Sequence, residues 1–167
     1  MIEFARILFP VDFSDVSPKI VPFVITMAQK FNAEVHLLFV AHAWVYFATD
    51  MYVASETVSR MESEIIQGAT KKMAEFLEEF VKDHVSYRTK IVVGDPAEEI
   101  ISYIQSKKID LVIMGTHGRK GLDRILFGSV ADRVVKMSPV PVMSINPYRG
   151  VPDCMGRLYF EAGRRVM

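Results

Sequence analysis

Two stretches of this chain are apolar almost throughout, yet too short for buried helices: Ile7-Leu8-Phe9-Pro10-Val11 and Ile109-Asp110-Leu111-Val112-Ile113-Met114. A strand with one wet face alternates apolar and polar side chains. A short run without alternation reads as a strand covered on both faces. Glu34-Val35-His36-Leu37-Leu38-Phe39-Val40-Ala41 is a third such run, with His36 read as a strand-face residue rather than a ligand. Tyr87 to Val93 alternates more, and Val140 to Ile145 is a fifth strand whose Pro141 suits an edge position.

Between these runs the apolar period changes to that of helices. Ser17-Pro18 reads as an N-cap followed by proline in the first turn, ahead of Ile20, Val24, Met27, Ala28 and Phe31. Pro22 either starts that helix proper or kinks its first turn. Met61, Ile65, Ala69, Met73, Phe76, Leu77 and Phe80 form a stripe, with Glu and Lys residues between them as a solvated face. Gly94-Asp95-Pro96-Ala97-Glu98 sets a capping box ahead of Ala97, Ile100, Ile101 and Ile104. Val130, Ala131, Val134, Val135 and Met137 mark the last helix, which Pro139 ends. The order βαβαβαβαβ with crossover-length helices argues an α/β fold: one doubly wound parallel sheet with helices on both faces. The segment from His42 to Ser59 is expected to be a long aromatic loop. It is either a lid or partner-facing element, or a loop folded over its own core.

Ligands of such sheets bind at the carboxyl ends of strands where the strand order reverses. Two strands carry unusual chemistry there. The first ends at Val11-Asp12-Phe13-Ser14, and the fourth runs into Gly115-Thr116-His117-Gly118-Arg119-Lys120-Gly121 and on to Gly128-Ser129-Val130 at a helix start. Glycine lets a backbone approach closely, and helix N-terminal N–H groups favour an anion. Neither Gly-x-x-x-x-Gly-Lys-Ser/Thr nor Gly-x-Gly-x-x-Gly can be threaded through this loop. Asp12 suits a ribose diol, or serves as a turn residue; Ser129 either donates to a phosphate or caps the helix.

Composition narrows the setting. Lys plus Arg and Asp plus Glu balance at 20 each, so no bulk field draws nucleic acid or an anionic membrane. Eleven Phe and ten Met supply core and interface filler. The single Cys154 rules out an intramolecular disulfide and suits a reducing cytoplasm. No basic n-region precedes a long apolar stretch, and no run approaches the ~18 apolar residues of a membrane span. A soluble, cytoplasmic protein is expected.

The spacing Gly115-x2-Gly118-x9-Gly128-Ser129 resembles the nucleotide-binding signature of the universal stress protein family. Pro10-Val11-Asp12-x-Ser14, the Gly94-Asp95-Pro96 turn and Ser138-Pro139-Val140-Pro141-Val142 add to that resemblance, in order and on the right elements. It covers residues 1–146 as one domain, leaving 147–167 as a tail, weakly ordered or docked on a partner. The resemblance implies a five-stranded, Rossmann-like sheet of order 3-2-1-4-5, like that of the adenine nucleotide alpha hydrolases, which binds ATP and forms a homodimer. It implies that Asp12 and the Pro10-Val11 backbone hold ribose and adenine, with Val40 against the base. Met114 and Gly115 would line the base and sugar side. Gly118, Arg119, Gly128, Ser129 and Val130 would hold the phosphates.

Phosphoryl transfer needs an aligned acceptor, charge neutralisation and usually a metal. Arg119 and Lys120 can supply charge. His117 is read as a solvated loop residue or phosphate hydrogen-bond donor in preference to a general base. No second acidic cluster marks a dedicated Mg²⁺ cage. The expectation is therefore ATP, or ADP or AMP, with any Mg²⁺ or Mn²⁺ carried on the phosphates, bound to regulate an unidentified protein partner rather than for turnover. A slow ATPase or ATP-using transferase is one alternative, and a dimeric scaffold pairing through Val140 to Ile145 is another. A receiver-like domain is rejected, because Asp12 and Asp15 do not make the acidic cluster it needs.

Overall fold

The computed structural model describes residues 3–42, 55–116 and 128–147. The strands are β1 (Arg6–Val11), β2 (Glu34–His42), β3 (Tyr87–Gly94), β4 (Leu111–Gly115) and β5 (Val142–Ile145). The helices are α1 (Ser17–Phe31), α2 (Ser55–Phe80), α3 (Pro96–Lys107) and α4 (Ser129–Met137). The five strands form one parallel sheet of order β3-β2-β1-β4-β5, as expected.

Both faces of the sheet are covered, which is why its central strands read as continuous apolar runs. Alternate side chains feed two cores. Ile7, Phe9 and Val11 of β1 join Leu37 and Phe39 of β2 against α1 and α2. Leu8, Leu38, Val112 and Met114 point the other way, against Ala97, Ile100 and Ile104 of α3 and Ala131 and Val134 of α4. The amino end of β1 is tied to β4 by Asp110, whose carboxylate accepts from the Ala5 and Arg6 N–H groups at 3.0 and 2.8 Å.

Several local expectations are corrected. α2 begins at Ser55, inside the segment expected to be loop up to Ser59. At about 1.5 Å per residue its 26 residues reach about 39 Å, against about 30 Å for the nine of β2. Only its second half packs fully: Ala69, Met73 and Phe76 are buried, whereas Met61 is 46% exposed. Ser17 is the first residue of α1 rather than its N-cap; Val16 stands there without a side-chain cap. α1 runs unbroken through Pro22. Asp95 does cap α3, accepting from the Glu98 N–H at 3.0 Å, but the reciprocal half of the capping box is not made. Glu98 turns to Arg133 instead. β5 starts at Val142, two residues later than expected, because Pro141 has no N–H to give a ladder. Among the described residues no helix is long and apolar enough to cross a membrane.

His36 is buried on the α3 side, with both ring nitrogens engaged: Nδ1 lies 3.0 Å from the Tyr103 hydroxyl and Nε2 3.1 Å from Glu34 Oε2. Arg88 also donates to that oxygen, at 2.8 Å, and is the main reason the Glu34 carboxyl is held below its usual value. Burial lowers the His36 pKa, and the attraction of Glu34 only partly opposes it. The folded chain therefore keeps this imidazole neutral where the unfolded chain takes up a proton, below about pH 6.5. The unfolded state then binds more protons, so stability falls as pH drops below about 6.5 and levels off once the folded state is protonated too. The expected slope from this group is at most about 1.4 kcal/mol per pH unit. Urea unfolding at about pH 7.5 and about pH 5.5 should show a smaller pH difference in His36→Gln than in the wild type. An unchanged difference would assign the slope to other groups.

Candidate functional site

The strand order reverses between β1 and β4, and the pairing there is the shortest in the sheet. β1 pairs with β2 as far as Val11↔Phe39, and β4 with β5 as far as Gly115↔Ile145. Between β1 and β4 the ladder holds only Ile7↔Leu111 and Leu8↔Val112. The carboxyl-terminal residues of these two strands are thus unpaired with each other at the switch point, which is where such sheets open the crevice that takes a ligand. Pro10, Val11 and Asp12 form one side; Met114 and Gly115 form the other. Met114 is buried, and Val40 and Val130 are partly buried against the same core cluster.

Asp12 is held firmly. Its Oδ1 accepts from the Ser14 N–H at 3.0 Å, the Ser14 hydroxyl at 2.6 Å and the Ser17 hydroxyl at 2.8 Å. The turn and ligand readings of Asp12 therefore do not compete: the turn fixes the carboxylate at the strand end. The Ser17 hydroxyl donates to this carboxylate and accepts in turn from the Asp12 N–H at 3.4 Å, so it closes the turn rather than capping α1. The Asp-x-Ser spacing announces the Ser14 contact, since Asx turns pair a side chain with the N–H two residues on. Nothing local announces Ser17, which the sequence reads only as an N-cap, while Ser14 stands in the Pro10-Val11-Asp12-x-Ser14 motif without a role of its own.

On the β4 side, Thr116 N–H donates to the Ile145 carbonyl at 2.8 Å, and its own carbonyl accepts from Gly128 N–H at 2.7 Å. The two ends of the segment 117–127 are thus joined directly. His117, Gly118 and Arg119 lie outside the described residues. Gly128 is the N-cap of α4 with φ −67°, and no side-chain oxygen caps this helix. Ser129 is therefore the first helical residue and not the cap; it is exposed at the helix start, facing away from the core. The Gly128 backbone angles are ones that any residue adopts.

α4 is anchored from outside the crevice. Arg133 Nη1 donates to both Asp95 carboxylate oxygens, at 2.9 and 2.8 Å, and Nη2 reaches Glu98 at 3.4 Å. Burial works against ionising Asp95, but the Glu98 N–H and Arg133 outweigh it and hold the carboxyl below its usual value. The helix that starts at the glycine loop is so fixed to the turn after β3. Among the described residues no group of three His, Cys, Asp or Glu could hold a metal ion. A cavity of about 180 Å³ between β3 and α3, lined by Lys90, Ser102, Tyr103 and Lys107 among others, contains none of the expected site residues.

The model of the universal stress protein family matches residues 3–146. The chain belongs to that family. It is 38% identical over 143 residues to universal stress protein MJ0531 of Methanocaldococcus jannaschii, covering 85% of this chain and 82% of the relative. It is 31% identical over 155 residues to universal stress protein MJ0577 of the same organism, covering 86% and 96%. The solved structure of MJ0577 superposes with a TM-score of 0.76 at 29% identity, covering 87% of this chain and 97% of that one. Within this family fold, the Asp95–Arg133 pair links two crossover helices.

Asp95→Ala should destabilise the protein by about 1 kcal/mol through the lost N-cap and by a smaller, salt-screened amount through the partly exposed ion pair. Arg133→Ala should lose only the second part. Urea denaturation of the two variants checks the order, and a larger loss for Arg133→Ala would contradict it.

Proposed function

We propose that this universal stress protein binds an adenine nucleotide (ATP, or ADP or AMP) in the crevice between β1 and β4, as a regulatory module of the stress response. The observation that carries the reading is the early end of the β1–β4 ladder, with a fixed carboxylate on one lip and a side-chain-free helix start on the other. Asp12 receives sugar hydroxyls, the Pro10 and Val11 backbone meets sugar and base, and Val40 and Met114 line the base with Gly115 beside the sugar. Gly118, Arg119, Gly128, Ser129 and Val130 hold the phosphates, with His117 as a further donor and any Mg²⁺ or Mn²⁺ riding on the phosphates. Asp12 acts here as an acceptor held by three donors, a role in binding rather than proton transfer. Occupancy then sets conformation or partner choice. The binding unit spans residues 1–146, and 147–167 serves as an arm for a partner.

Nucleotide released from the purified, denatured protein should be identified by mass analysis as an adenine nucleotide. Gly128→Val, whose backbone angles suit any residue, should keep the melting curve close to that of the wild type while titration calorimetry finds ATP affinity lost. Unchanged affinity would sink the phosphate assignment.

A homodimer through Val140 to Ile145 is the second reading. β5 is an edge strand, and beside it Val135 and Met137 of α4 are 43% and 49% exposed. Sedimentation should show a dimer that Val142→Asp converts to monomer; a wild-type monomer at every concentration rules the reading out.

A further inference from the structure

Four described residues other than glycine have positive φ: Phe13 at 56°, Asn32 at 51°, Asp83 at 68° and Lys108 at 52°. Three have ordinary reasons. Asn32 and Lys108 occupy the left-handed position that closes α1 and α3, where their N–H groups reach carbonyls of the last turn. Asp83 lies in the turn after α2, and Asp is among the few residues that visit this region readily. Phe13 closes no helix and is bulky, which makes its angle a genuine outlier. It stands at the carboxyl end of β1, next to Asp12. Such a conformation persists only where the surroundings over-determine it, and outliers of this kind gather at functional sites.

What over-determines Phe13 is its ring. It stacks on Phe39 of β2 with centroids 4.7 Å apart and planes at 27°, and it meets Phe76 of α2 edge-on at 6.1 Å and 63°. With the ring clamped on the α1/α2 side of the sheet, the backbone turns back. Ser14 N–H and hydroxyl then reach Asp12 Oδ1 at 3.0 and 2.6 Å. Ser17, one turn further on, completes the set at 2.8 Å.

The geometry points to Phe13 as a positioning residue: clamped by Phe39 and Phe76, it holds the left-handed turn that aims the Asp12 carboxylate at the sugar of the bound nucleotide. This rests on the nucleotide reading given above and adds what fixes its sugar contact. Phe13 touches no ligand in this scheme; it acts through Asp12.

The test compares affinities for ATP and 2′,3′-dideoxy-ATP, by titration calorimetry, in the wild type, Phe13→Val and Phe13→Gly. Val is β-branched and resists a positive φ, whereas Gly adopts it freely. The wild type should prefer ATP by about tenfold or more, as expected of a hydroxyl donated to a carboxylate. Phe13→Val should bring the ratio towards one, and Phe13→Gly should keep most of it. A ring that served only to pack would give the opposite order, because Gly removes more apolar surface than Val. If melting curves show that Phe13→Val does not fold, Phe13→Ala, which also disfavours positive φ, takes its place. A Val or Ala variant that keeps the wild-type ratio overturns the proposal, and so does a Gly variant that loses as much as Val. A wild type that binds both nucleotides equally overturns it while leaving nucleotide binding intact. A wild type that binds neither overturns the nucleotide reading itself.

Discussion

A strand buried on both faces has no place for polar chemistry except at its ends. β1 is such a strand: Ile7, Leu8 and Phe9 are at most 1% exposed, and helices cover them from either side. Burial of this kind stabilises the sheet and pushes polar groups to its edges. At the amino edge they become structural fasteners, as with Asp110 on the Ala5 and Arg6 N–H groups and the Glu34–His36–Tyr103 chain. At the carboxyl edge they gather around the crevice. The division follows from chain direction in a parallel sheet: every strand delivers its carboxyl end to the same side, where the loops into the following helices are.

The position of the crevice along that edge is set by connectivity. The chain builds β1, β2 and β3 outward in one direction and then crosses back to place β4 on the other side of β1. The segments leaving β1 and β4 run to opposite faces, α1 to one and α4 to the other, so no crossover covers the gap between them. The two strands stop pairing before they end. Among the described residues, those that follow the two strands at this point are Asp12 to Ser17 on one side and Thr116, Gly128 and Ser129 on the other.

Sheet order and helix placement were legible in the sequence because they depend on local pattern: continuous apolar runs, helical stripes, and turn residues at Gly94-Asp95-Pro96. The ends of elements were less so. Met61 continues a faultless helical stripe yet is exposed, since periodicity says which face of a helix is apolar but not how far the sheet beneath it extends. Tyr103 breaks the expected apolar set of α3 and is buried all the same, because His36 supplies a partner for its hydroxyl. In the site, Asp12 and Gly128 stand out by residue type. Arg133 and Ser17 do not: each acts on a carboxylate, in one case 38 positions away, and that pairing exists only once the chain has folded. The left-handed turn at Phe13 was hidden for the opposite reason. Local preference argues against it, and only the rings of β2 and α2 reverse that preference.

The hydrogen bond from Gly128 to Thr116 joins the two ends of an eleven-residue segment, 117–127, at its base. Closure at this bond fixes where the chain leaves β4 and where it enters α4. Doubling such a connection adds only about 0.6 kcal/mol of closure entropy. For closure alone, the length of the connection is therefore a weak constraint.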